Sequence, residues 1–132
     1  MRIVLDTNVL ISGVLNPHGA PGSILNAVLN EQITVLVDSR ILFEYRDVLL
    51  RPRFRFPRDY VESVLEFLEH EGTHITAGPT PAVIPDAADI PCYEVAVAGQ
   101  AHCLVTGNAR HFPATPLVVS PREFLDTLRG TV

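Results

Sequence analysis

The sequence predicts a three-layer α/β/α fold around a central parallel sheet of about five strands. Two observations carry this. Short apolar runs (RIVL, ITVLV, HCLVT and PLVVS) recur along the chain as buried strands. Between them lie longer segments whose apolar residues repeat at three and four positions, the period of a helix facing a core. Short apolar strands that alternate with helices make a parallel sheet covered on both faces.

The elements follow in order. Residues 2–5 form the first strand and 7–15 the first helix, with Thr7 or Asn8 able to cap it. APGSILNAVLNE (20–31) opens with proline and serine and carries Ile24, Leu25, Val28 and Leu29 at helical spacing. Residues 33–37 are the second strand. A helix opened by Asp38 or Ser39 covers 38–51. The clearest amphipathic helix is 57–72, with Val61, Val64, Leu65 and Leu68 on one side and Gly72 as its stop. THIT (73–76) is a short strand, and TAGPTPAVIPD (76–86) is a long loop rich in proline and glycine. A helix with proline in its first turn covers 89–100. Strands at 102–106 and 116–120 and a closing helix at 121–130 complete the chain.

Length and composition agree with one globular domain over residues 1–132. The hydrophobic fraction is 47% and the charged fraction 19%, enough for one core. The pieces on either side of the long loop are too small for separate cores, so that loop is no domain boundary. No apolar stretch approaches the roughly 18 residues that span a membrane. The N-terminus, one arginine with an acid by position six, does not resemble a signal peptide. Cys92 and Cys103 form no CxxC pair and are expected as reduced thiols of a cytoplasmic chain. The net charge of −5 argues against a surface that coats nucleic acid. It leaves room for an acidic site that holds a divalent metal, because the metal reverses the local charge. All ten basic residues are arginines. With no lysine, mechanisms that need a catalytic or phosphate-binding lysine are removed.

In a sheet of this kind, sites lie beyond the carboxyl ends of the strands, where strand order reverses. Asp6 follows the first strand and Asn108 follows the fourth, in LVTGNARHF. Asp89 opens the helix before that strand. Glu44 lies in the helix after the second strand, on the same face as Ile41, Val48 and Leu49. Carboxylates held together share protons or bind a cation. Oxygen donors without histidine or cysteine suit Mg²⁺ or Mn²⁺. Such an ion neutralises charge on a phosphodiester and activates water, so the constellation points to metal-assisted phosphodiester hydrolysis.

These residues sit in stretches that resemble one family. VLDTNVLIS is similar to the opening motif of PIN-domain ribonucleases, the toxins of bacterial and archaeal toxin–antitoxin pairs. ILFEYRDVLLRPRF resembles their second motif, with Glu44 at its acid. DAADIPCYEVAVAGQAHCLVTGN resembles the third and fourth. The resemblance covers nearly the whole chain. It implies a PIN-like fold, dependence on Mg²⁺ or Mn²⁺, cleavage of single-stranded RNA to a 5′-phosphate and a 3′-hydroxyl, and an antitoxin protein that blocks the site. It further implies a homodimer. Asp6, Glu44 and Asp89 are then the metal ligands, with Asn108 completing the catalytic set. The family usually carries aspartate at that fourth place; asparagine still offers a carbonyl oxygen but no charge. Ala87 and Ala88 stand where acids often occur, which leaves Asp89 as the best match to the third acid and Asp86 as an outer member.

Around these four lie residues with two readings each. Asn8 either caps the first helix or holds Asp6 by a hydrogen bond. Thr106 belongs to the site or to a plain turn. Glu94 supports the ligands or is solvated. Glu44 is a metal ligand or a surface partner of Arg40 or Arg51, the latter worth about 0.3–0.5 kcal/mol. RPRFRFPR (51–58) interleaves arginine with phenylalanine, as a linker or as an RNA contact through Arg53 and Arg55. Arg110 and His111 are further candidates for RNA contact.

Two other functions share parts of the pattern. A haloacid-dehalogenase-type phosphatase also begins with a strand and an aspartate, but it carries a second acid two positions on, where this chain has Asn8, and it usually needs a lysine. A non-catalytic PIN-like scaffold that binds RNA or protein would account for Asn108.

Overall fold

The computed structural model describes residues 1–130; the last two residues of the expected domain lie outside the described ones. The chain runs β1 (Arg2–Leu5), α1 (Thr7–Leu15), α2 (Ala20–Leu29), β2 (Thr34–Val37), α3 (Ser39–Leu49), α4 (Arg58–Glu71), β3 (Thr73–His74), α5 (Ile90–Ala98), β4 (Cys103–Val105), β5 (Val118–Val119) and α6 (Pro121–Leu128). Three short 3-10 turns, at Pro52–Phe54, Ala87–Asp89 and Ala109–His111, were not expected from periodicity. The strands form one five-stranded parallel sheet in the order β3-β2-β1-β4-β5. The expected α/β fold is therefore present, with every predicted element in its place.

Most differences lie at element ends, and local chemistry explains several. The second helix stops at Leu29 rather than 31, because Glu31 turns left-handed at φ 61°. Helix α3 is capped by Asp38, whose carboxylate accepts from the Ile41 amide at 2.9 Å. At α6, Ser120 and Glu123 cap each other's backbone reciprocally. Helix α1 departs from expectation. Its N-cap is Asp6, not Thr7 or Asn8, and no side chain makes a capping bond there.

The core follows from the apolar periods. The inward residues of β1, β2 and β4 are buried almost completely, as are Val61, Val64, Leu65 and Leu68 of α4. Helix α2 packs on α1 and on α6, while α3 packs on α4 and α5. Helix α5 lies against β1, β2 and β4. The turn into α2 needs glycine: a Cβ on Gly22 would stand 2.4 Å from the Pro17 carbonyl oxygen. Cys92 and Cys103 are both buried and unpaired. Among the described residues no helix is long and apolar enough to cross a membrane.

Fully buried Tyr45 ties α3 to the sheet. Its hydroxyl donates to the Leu5 carbonyl at 2.6 Å, at the last residue of β1. Tyr45→Phe keeps the ring and leaves that carbonyl with only the weak Cys92 thiol donor at 4.0 Å. The expected cost is about 1–2 kcal/mol of unfolding free energy, measured as a lower urea midpoint with an unchanged slope.

Candidate metal centre and nucleic-acid cleft

Strand order places the site. The chain leaves β1 for β2 and β3 on one side, then returns to β4 on the other. The order thus reverses between β1 and β4, and ligands bind at such a point. Leu5 stands opposite Val105 in the parallel register, and the Asp6 amide donates to the Val105 carbonyl at 3.0 Å. Asp6 and Thr106 therefore emerge side by side. The Thr106 hydroxyl donates to Asp6 Oδ2 at 2.8 Å and accepts from the Asn108 amide at 3.0 Å. One buried threonine thus orients both Asp6 and the turn that carries Asn108.

An open cleft of about 280 Å³ lies above this point. Asp6, Glu44, Asp86, Asp89 and Asn108 all line it, together with Asn8, Arg51, Arg53 and His111. The four elements that the sequence singled out do meet at one sheet edge. Glu44 pairs with neither Arg40 nor Arg51; its Oε2 accepts from the Thr7 hydroxyl. Thr7, taken from the sequence only as a cap, is instead the residue that orients Glu44. Its place directly after Asp6 was the only signal available.

The other candidates separate. Asn8 lines the cleft but neither caps α1 nor holds Asp6: its Oδ1 accepts from the Gly107 amide at 3.3 Å, a bond that braces the turn before Asn108. Glu94 is neither solvated nor part of the cleft. It is buried, accepts from Arg40 Nη1 at 2.7 Å, and accepts from the Thr80 amide at 3.0 Å. Arg40 also pairs with Asp38 at 2.8 Å. Glu94 thereby pins the long loop to α3 and α5, and nothing in helical periodicity shows a bond to a residue 14 positions away. Arg55 and Arg110 are exposed and do not line the cleft, whereas Arg53 and His111 do.

The two acids of the third motif are distinguished by their partners. Asp86 caps the 3-10 turn through a bond from the Ala88 amide at 2.9 Å. Asp89 Oδ2 is buried with no hydrogen-bond partner, and His111 Nδ1 lies 3.6 Å from it. Burial, followed by the charges of Asp6 and Asp86, raises the Asp89 carboxyl to about 6. Burial also raises Asp6, against the lowering effect of the Thr106 bond.

An orphaned carboxylate oxygen among other carboxylates suits a hard divalent cation. The donor set fits such an ion in chemistry. Among the described residues, no three histidine, cysteine or acidic side chains converge on one point as they stand.

Fold and cleft together define an α/β protein with an acidic cleft at the switch point of a parallel sheet. The PIN-domain family pattern matches residues 2–110, and the chain belongs to that family. An uncharacterized protein of Methanocaldococcus jannaschii is 40% identical over 55 residues, which is 42% of this chain. That match spans 36% of the relative's own length, about a third. A chain in the crystal structure of VapBC2 from Rickettsia felis, bound to a DNA fragment from their promoter, superposes with a TM-score of 0.58. It is 18% identical, and the match covers 91% of this chain and 98% of that one.

The raised Asp89 pKa has a definite sign. A carboxyl lifted to about 6 favours the folded state when protonated, and that advantage is lost as pH rises from about 4 through 6. Without metal, Asp89→Asn is expected to melt higher than the unmodified protein at pH 7. The difference should shrink to near zero at pH 4, as followed by thermal melts in chelator.

Proposed function

We propose that this chain is a divalent-metal-dependent endoribonuclease that cuts single-stranded RNA, and that it acts as the toxin of a toxin–antitoxin pair. The observation that carries the nuclease reading is the meeting of Asp6, Glu44, Asp89 and Asn108 in one cleft at the switch point of a PIN fold. The family's members are generally metal-dependent nucleases, which supports the same reading. The likeness to a chain of VapBC2 supports a partner antitoxin and an oligomer, here taken as a homodimer.

Asp6, Glu44 and Asp89 would hold one or two Mg²⁺ or Mn²⁺ ions, with Asn108 offering a neutral carbonyl oxygen. When bound, such an ion stabilises negative charge on the phosphodiester and eases loss of a proton from water. The chain's own residues do the positioning. Thr106 and Thr7 each occupy one carboxylate oxygen, of Asp6 and Glu44 respectively, and so fix the rotamers of both acids. His111 lines the same cleft, its Nδ1 3.6 Å from Asp89 Oδ2.

A second reading is a non-catalytic scaffold. The neutral Asn108 favours it. Metal binding separates the two, because an ion that binds only the native state must stabilise it, by about 2.7 kcal/mol at a hundred times its Kd.

Incubation of the protein with an unstructured, end-labelled RNA and Mn²⁺ or Mg²⁺ is expected to yield internal cleavage that chelator abolishes. Asp6→Asn is expected to slow it by at least about a hundredfold. An unmodified protein that is silent in both metals and whose melting temperature neither metal raises would establish the scaffold instead.

A further inference from the structure

The segment between α3 and α4 reads RPRFRFPR over residues 51–58. Its 3-10 turn, Pro52–Phe54, ends at Arg55, which adopts a left-handed backbone at φ 54°. Glycine would take that conformation freely; an arginine held there marks a turn enforced by its surroundings. The turn brings Phe54 and Phe56 into a parallel stack, with centroids 5.3 Å apart and planes 5° apart. Phe56 packs against the hydrophobic core. Phe54 stacks on Phe56, and the Arg53 guanidinium carbon lies 4.9 Å from the Phe54 ring centre. A stack therefore grows outward from the core and ends in a cation on the wall of the acidic cleft.

A guanidinium held over an aromatic ring still has N–H groups for other partners. No carboxylate among the described residues lies within ion-pair distance of Arg53, whereas neighbouring Arg51 bonds Asp47 at 3.1 Å. The cleft that Arg53 faces is lined by four carboxylates in a protein of net charge −5. A phosphodiester strand approaching it is repelled unless a fixed cation at the rim offsets that field. A planar fork matches phosphate oxygens in a bidentate manner.

We propose that Arg53, seated on the Phe56–Phe54 stack, is a phosphate clamp that holds a single-stranded RNA across the rim of the acidic cleft. The proposal rests on the nuclease reading and names how that site takes its substrate. A single strand fits this role because its backbone bends into a recessed cleft, which a duplex does only by opening. Arg55 and Arg110 contribute no such clamp, since neither lines the cleft.

The test is fluorescence anisotropy of a labelled, unstructured RNA dodecamer on an Asp6→Asn background, at several salt concentrations. Arg53→Ala is expected to raise Kd about tenfold and to lower the salt slope by about 0.7, the loss of one phosphate contact on a single strand. Arg122→Ala, which removes one exposed charge on α6, is expected to change Kd less than twofold. Phe54→Ala is expected to weaken binding with Arg53 still present, because the guanidinium loses its seat; circular dichroism confirms that this variant folds. Arg53→Ala binding no more weakly than Arg122→Ala overturns the clamp, and an unchanged Kd for Phe54→Ala overturns the seat. If RNA still binds in those cases, the nuclease reading stands without the clamp. If neither the parent Asp6→Asn protein nor the unmodified protein in chelator binds single-stranded RNA, the clamp and the nuclease reading fall together.

Discussion

The cleft depends on the parallel pairing of β1 with β4. That pairing sets Leu5 opposite Val105 and joins the Asp6 amide to the Val105 carbonyl. It therefore decides that Asp6 and Thr106 leave the sheet together. Shifting the register by one residue would turn every side chain of the strand to the other face. Asp6 would then lose the hydroxyl that orients it, and the turn carrying Asn108 would move with Thr106. Both strands are almost wholly apolar and buried on both faces, so the core itself holds that register.

The same arrangement costs stability. Burial disfavours ionised carboxylates, and both Asp6 and Asp89 are raised by it. Asp89 keeps a buried oxygen without a partner, which folding alone would not select. Compensation comes from neighbouring hydroxyls and from the apolar sheet beneath. Away from the cleft, the Asp38–Arg40–Glu94 network ties the loop before Asp86 to the helices behind it. A polar network of this kind, with each charge partnered, holds a proline-rich segment that has few apolar anchors.

Much of the fold was legible from the chain alone. Short apolar runs and helical periods placed the sheet and all six helices, because both signals are local and survive without tertiary context. The 3-10 turns were missed because three residues carry no period. The principal acids were legible for a different reason: Asp6 ends a strand and Asp89 precedes a helix, where switch-point chemistry is expected, while Glu44 stands out as an acid on the apolar face of α3. Their supports were less legible. From the sequence, Thr7 offers a cap, Asn8 a cap or a brace for Asp6, and Glu94 a support or a solvated acid. Their partners are, in turn, Glu44, Gly107, and Arg40 with Thr80, which lie 37, 99, 54 and 14 positions away.

By itself, then, the sequence determined the elements, the parallel α/β class and which side chains carry charge toward a strand end. These follow from periodicity and from residue type. Only the tertiary structure decided the strand order β3-β2-β1-β4-β5, and with it which acids share a cleft. It also decided which of Asp86 and Asp89 keeps an unpartnered oxygen, and which arginine of RPRFRFPR reaches the cleft wall. Hydrogen bonds between residues a hundred positions apart are set by packing, and packing is a property of the assembled core rather than of any segment.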